Sequence, residues 1–121
     1  MLKDKLYYIQ SCTAGNDGCR FDISLEPDSV IYKAHFPGRP ITPGVCLMQM
    51  AVELLNLHLG CEYKLCGARN VKFTVPVVPE KGKSHTFTFS SIGHDDKGVS
   101  AKVLVMSADV IHAKMILSLI P

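Results

Sequence analysis

Residues Val45 to Leu59 hold the most apolar run in the chain, and they constrain its fold more than any other segment. Apolar side chains stand at Val45, Leu47, Met48, Ala51, Val52, Leu54, Leu55, Leu57 and Leu59 with little β-branching, which predicts a helix of about four turns. Thr42 is the expected N-cap, Pro43 the first helical residue and Gly60 the stop. Apolar positions cover nearly the whole circumference, so other structure must wrap this helix. Gln49, Glu53, Asn56 and His58 interrupt the run, which is too short and too polar to span a bilayer.

The rest of the chain alternates with a period of two. Leu6–Cys12 and Cys19–Leu25 flank Ala14-Gly15-Asn16-Asp17-Gly18, whose residues tolerate positive φ, and together they read as a β-hairpin. Leu65–Val75, Ser84–Ile92, Val99–Met106 and Val110–Ile120 follow as strands, with a longer connection from Pro76 to Gly82. Between hairpin and helix lie Pro27, Pro37, Pro40 and Pro43, and no regular element is expected from Pro27 to Pro43. A lone helix that is apolar all round needs a sheet curled about it. The expectation is an α+β roll forming a single domain over residues 1–121.

Composition narrows the function. A chain of 121 residues with 47% hydrophobic and 20% charged residues is globular rather than disordered, yet small enough to gain from a partner chain. The net charge is +2 and the densest basic cluster is only Lys81-Gly82-Lys83, too thin for a nucleic-acid partner. The five cysteines are odd in number and lack Cys-x-x-Cys or zinc spacing, so free thiols in a reducing cytoplasm are expected, with no metal. Met1 to Lys5 lacks the apolar stretch of a signal peptide. No membrane partner is expected.

One segment carries chemistry: His35-Phe36-Pro37-Gly38-Arg39-Pro40-Ile41-Thr42-Pro43-Gly44-Val45. Its prolines hold His35 with little freedom, and Gly44 offers a backbone amide at a helix N-terminus, a donor for a carbonyl gaining negative charge. A fixed imidazole beside such a donor suits proton abstraction next to a thioester carbonyl. On these residues alone, His35 serves equally well as a structural group bonded to the loop.

The run from His35 to Val45 resembles the His-Phe-Pro-x-x-Pro-x-x-Pro-Gly-Val signature of the β-hydroxyacyl-acyl-carrier-protein dehydratases of the FabZ and FabA type, matching every fixed position. Val71-Lys72-Phe73-Thr74-Val75-Pro76-Val77-Val78-Pro79 is similar to that family's strand after the helix, although Glu80-Lys81-Gly82 replaces the usual Gly-Asp. The resemblance implies a hotdog fold, an antiparallel sheet wrapped around a long central helix, with protomers paired edge to edge. It implies His35 as the catalytic histidine, the Gly44 amide as the thioester-carbonyl site, and Phe36 and Val45 beside the substrate. It further implies an acyl thioester on acyl carrier protein or CoA as partner, no cofactor, and a homodimer, a trimer of dimers, or a mixed dimer with a paralogue.

One departure stands at the second catalytic position. Where the family has an acidic residue fourteen positions after the histidine, this chain has Gln49, and Glu53 falls where the family has glutamine. A carboxyl in an apolar tunnel donates a proton to the departing β-hydroxyl, whereas an amide has none at useful acidity. Three outcomes stay open. Glu53 takes over from one turn away, His35 performs both proton transfers, or the chain binds acyl groups without dehydrating them.

The leading reading is a 3-hydroxyacyl-thioester dehydratase giving a trans-2-enoyl product in fatty-acid or polyene synthesis. The alternatives are a catalytically impaired acyl-binding subunit and an acyl thioesterase, the latter needing Glu53 to activate water. A thiolate at Cys46, favoured by the helix dipole, is a minor route. Arg39 is read as a solvated residue or a contact for the carrier's phosphate. His58, His85, His94 and His112 read as structural.

Overall fold

The computed structural model describes residues 1–35, 38 and 40–121, with the side chain of His35 outside that description. The period-two segments form strands β1 (Tyr7–Ala14), β2 (Cys19–Leu25), β3 (Lys64–Phe73), β4 (Ser84–His94), β5 (Val99–Ser107) and β6 (Val110–Ile120). They make one antiparallel sheet in the order β1-β2-β4-β5-β6-β3. Two helices interrupt the strands, α1 (Val30–His35) and α2 (Gly44–Leu59).

Alternation decides which face of the sheet is covered. Strand β5 buries Val99, Ala101, Val103, Val105 and Ser107 and turns its other side chains outward. Phe21 and Ile23 of β2, Phe87 and Phe89 of β4 and Met115 and Leu117 of β6 join the same inner face. Against it lie Leu47, Met50, Ala51, Leu54 and Leu55 of α2, all within one buried cluster. Each Val, Leu, Ile, Phe or Met among them contributes about 1.5–3 kcal/mol on leaving water. The helix ends at Gly60, whose φ of 67° is the left-handed conformation that stops a helix most readily at glycine.

Three features differ from the sequence expectation. The stretch from Pro27 to Pro43 does contain a regular element, α1, because residues 28–36 are free of proline. Ser29 starts it, accepting the Ile31 amide on Oγ at 3.3 Å. Second, Pro43 rather than Thr42 is the N-cap of α2 (φ −59°, ψ 146°), and Gly44 is its first helical residue. The Thr42 hydroxyl is engaged elsewhere, 2.8 Å from the Tyr32 hydroxyl.

Third, α2 is not wrapped all round. Val45, Gln49 and Leu57 remain exposed along one stripe, since the sheet faces only the other side of the helix. Strand β3 is a sheet edge bonded only to β6, and most of its side chains are exposed. Leu65, Phe73 and Val75 are among the large apolar residues left open there.

Candidate active site

The tip of α2 is fixed from two directions. Thr42 donates its amide to the Val77 carbonyl at 2.8 Å, tying the approach to the connection after β3. The Tyr32–Thr42 hydroxyl pair ties the same point to α1, one helical turn before His35. Burial pushes the Tyr32 hydroxyl up to about 12, so it stays a neutral phenol. His35 is thus the last residue of a helix anchored to the start of α2, although its side chain, with Phe36 and Arg39, lies outside the described residues.

Among the described residues no side chain caps α2. The amides of Cys46 and Leu47 turn back to the Pro43 carbonyl, at 2.9 and 3.2 Å. A helix N-terminus without a side-chain cap leaves its first amides as donors for an anion or a polarised carbonyl. The Phe73 ring lies against Gly44, where a Cβ would stand 2.7 Å from the ring carbon Cζ. Glycine at this position keeps the aromatic ring close to the helix tip. Val45, next along, is 73% exposed.

Farther along α2, the exposed Gln49 meets Glu53. Five residues at 1.5 Å each put Gln49 about 7.5 Å along the axis from Gly44. Gln49 donates Nε2–H to Glu53 Oε2 at 2.9 Å. Glu53 is buried and also accepts from the Leu2 amide at 2.8 Å, the Lys3 amide at 2.9 Å and the Tyr7 hydroxyl at 3.0 Å. Burial alone would raise its carboxyl, but the donors from Leu2, Gln49, Lys3 and Tyr7 together hold it below the usual carboxylate range. Burial, and then the Glu53 charge, push the Tyr7 hydroxyl far up. The pair lines a groove of about 800 Å³ with Val52, Leu57, Tyr63 and Leu65.

Sequence reasoning placed Gly44, Val45, Gln49 and Glu53 on one helix, and the structure brings Gln49 and Glu53 into contact. It missed the clamp of Leu2, Lys3 and Tyr7 on Glu53, because no local pattern joins residues some fifty positions apart. It also missed Asn56, which accepts the Tyr63 amide at 3.1 Å and donates to the Tyr63 carbonyl at 3.0 Å, fastening the far end of the groove. Cys46 behaves opposite to the dipole expectation, since burial raises its thiol rather than favouring a thiolate.

His85 and His112 form a second cluster, inside the sheet. His112 Nδ1 lies 2.9 Å from the Val75 carbonyl and Nε2 lies 2.6 Å from Ser107 Oγ. A carbonyl only accepts, so Nδ1 carries the proton and the serine hydroxyl donates to Nε2. His85 packs against this ring at a centroid distance of 5.2 Å. Among the described residues no group of three His, Cys, Asp or Glu is placed to hold a metal ion.

Comparison with known proteins agrees with this architecture. Residues 11–99 match the ApeI-like family, ApeI dehydratase, a span running from β1 through both helices to the start of β5. A chain of the dehydratase heterocomplex ApeI:P from Xenorhabdus doucetiae is similar over 94% of this chain and 97% of its own, with a TM-score of 0.68 at 17% identity. An uncharacterized protein from Erwinia carotovora subsp. atroseptica is similar over 93% of this chain and 90% of its own, at a TM-score of 0.56 and 16% identity. An inactive mutant of the CurK dehydratase covers 97% of this chain with 43% of its own, at a TM-score of 0.54 and 13% identity. At these identities the likeness is one of fold, and the fold is the hotdog.

Proposed function

This chain belongs to the ApeI-like dehydratase family, and from that membership we propose that it acts on 3-hydroxyacyl thioesters, removing water to give a trans-2-enoyl product. The thioester arrives on acyl carrier protein or CoA. His35 takes the α-proton, and the Gly44 amide holds the thioester oxygen as it gains enolate-like charge. The observation that carries this reading is the tip of α2, whose first amides have no side-chain cap among the described residues, with Gln49, about 7.5 Å farther along the axis, lining a groove.

Gln49 is a binding group, not an acid. With one N–H given to Glu53, it presents its Oε1 and its second N–H to the β-hydroxyl. Glu53 is a poor proton donor, because four donors favour its ionised form. The departing hydroxyl therefore receives its proton from His35 itself. The imidazole takes the α-proton, the C–O bond breaks as the enolate collapses to the enoyl thioester, and the imidazolium returns the same proton to form water. One base serves both steps, and the reaction is slower than in an enzyme with a separate acid, by about 10²–10⁴-fold.

The same engagement of Glu53 argues against a thioesterase, which needs a carboxylate free to activate water. A second reading, favoured by the amide at Gln49, is an acyl-binding subunit whose active partner is a paralogue in a mixed dimer. Either way the open edge of β3 and the exposed stripe of α2 suit a second protomer. The free cysteines suit a reducing compartment.

The test is a hydration–dehydration assay on wild type, His35→Ala, Gln49→Glu and Glu53→Gln, scoring enoyl formation against thiol release. Loss of turnover in His35→Ala with a faster Gln49→Glu supports the one-base dehydratase. Full activity in His35→Ala, or thiol release without enoyl product, overturns it. A wild type that binds 3-hydroxyacyl thioesters but never converts them selects the acyl-binding subunit.

A further inference from the structure

Two neighbouring residues of β6, His112 and Ala113, are both buried, which breaks the alternation kept by the rest of the strand. The break is a β-bulge. Val105 pairs with Ala113 and Met106 with Ile111, so His112 is the extra residue and has no partner of its own on β5. The bulge turns the imidazole inward, beside Ser107 of β5 and His85 of β4. Both ring nitrogens are used: Nε2 accepts from the Ser107 hydroxyl at 2.6 Å, and Nδ1–H donates to the Val75 carbonyl at 2.9 Å. The His85 ring, 5.2 Å away between centroids, limits how far the imidazole can swing. Apolar side chains at 107 and 112 would fill the same space without needing these bonds. Bulge and histidine together aim one donor at one carbonyl.

That carbonyl sits at a junction. The β3–β6 ladder ends at the Phe73–Ala113 pair, and the chain then leaves the sheet. His112 grips it twice as it leaves, since its own carbonyl accepts the Thr74 amide at 2.9 Å while its ring bonds Val75. The Thr74 hydroxyl adds a bond to the Ile111 carbonyl at 2.6 Å. Next comes Pro76, whose ring fixes φ and restricts the residue before it, so Val77 inherits its placing from Val75. Val77 is buried, and its carbonyl accepts the Thr42 amide, two residues before Gly44. A short, stiff link thus runs from the ring of His112 to the tip of α2.

We propose that His112 is a positioning residue of the dehydratase site: its Nδ1–H fixes the Val75–Val77 link, which sets the Gly44 amide against the thioester oxygen. The proposal rests on the dehydratase reading for the reaction it serves. His112 acts through Val77 and Thr42 and does not touch substrate. A donor aimed at charge that develops in the transition state loses its value when slightly displaced. The effect therefore falls on kcat, while acyl binding along the Gln49 groove is spared.

The experiment exploits the geometry of the side-chain amides. Asn carries its nitrogen one bond beyond Cγ, as Nδ1 of histidine is, whereas Gln carries it two bonds beyond, as Nε2 is. His112→Asn thus keeps a donor for Val75, and His112→Gln keeps one for Ser107 in its place. Ser107→Ala removes the Nε2 partner and leaves the Nδ1 bond. Each variant is assayed for kcat and KM on a 3-hydroxyacyl pantetheine thioester and for amide exchange at Thr42 and across β5. In His112→Gln, kcat is expected to fall by about tenfold to a hundredfold with KM nearly unchanged. Thr42 exchange should quicken there while β5 exchanges as in wild type. His112→Asn and Ser107→Ala should stay close to wild type in both readouts.

Equal losses in the Asn and Gln variants, or a loss in Ser107→Ala as large as in His112→Gln, overturn the proposal, because ring packing or the serine bond would then be what matters. A rise in KM with kcat intact overturns it too, as does unchanged Thr42 exchange in His112→Gln. If the wild type turns over no thioester while Thr42 exchange still follows the Nδ1 donor, the dehydratase reading fails and the hold of His112 on the helix tip stands.

Discussion

The side-chain amide of Gln49 donates to the Glu53 carboxylate at 2.9 Å, one helical turn away, and that carboxylate also holds the amides of Leu2 and Lys3 and the hydroxyl of Tyr7. One buried anion thus sets the rotamer of the residue at the acid position and pins the N-terminal segment to α2. In the proposed reaction Glu53 acts through Gln49, as a positioning residue.

Glu53→Gln is expected to lower unfolding stability by about 2–4 kcal/mol at neutral pH, since charge-assisted bonds are lost and an N–H is turned toward backbone donors. Tyr7→Phe should cost about 1 kcal/mol. The folded carboxyl titrates below its unfolded value, so its contribution is fully present above the unfolded pKa and is lost as pH falls through the folded one. Urea midpoints between pH 3 and 7 check this. A Glu53→Gln protein with the wild-type pH slope in the acid range would refute it.

His85 predicts a second acid sensitivity at higher pH. It is fully buried, neither ring nitrogen has a hydrogen-bond partner among the described residues, and burial, with His112 and Lys83 nearby, lowers its pKa to about 4. The unfolded ring, near 6.5, binds its proton first as pH falls. Stability is therefore expected to decline from about pH 6.5 to about pH 4, by roughly 3 kcal/mol in full. His85→Phe should flatten denaturation midpoints across that window while Glu53→Gln leaves the slope there intact.

Gly44→Ala is expected to reduce kcat/KM, because the new Cβ displaces the Phe73 ring from the helix tip. The ring is half exposed and free to swing outward, so the fold should lose little stability. Steady-state kinetics on Gly44→Ala and on Gly44→Ala with Phe73→Ala separate the causes. Recovery in the double variant points to the ring, and no recovery points to the helix-tip amide itself.

Asn56→Ala is expected to lower stability by about 2 kcal/mol through lost bonds to the Tyr63 amide and carbonyl. Amide exchange should quicken at Cys61 and Tyr63 before it quickens in β5. Unchanged exchange at Tyr63 would show that Gly60 alone holds this corner.

Much of the fold was legible because it rests on periodicity. The alternation in β5, the hairpin of β1 and β2, and the stop at Gly60 are local patterns, and each survived into the structure. The short helix α1 was not legible against a background of prolines, since its start depends on one serine at position 29. The N-cap was misplaced because Thr42, a good cap by type, bonds instead to Tyr32, ten residues earlier.

The chemistry divides in the same way. The residues themselves determined that a histidine and a proline-rich stretch lead into a helix with a glycine near its tip and glutamine fourteen positions after the histidine, because spacing along a chain is a local property. Only the folded chain decided that Glu53 is sealed by Leu2, Lys3 and Tyr7, that Phe73 leans on Gly44, and that His112 bonds the Val75 carbonyl. Those contacts join positions far apart in sequence, and burial and hydrogen bonding there depend on which surfaces the sheet brings together.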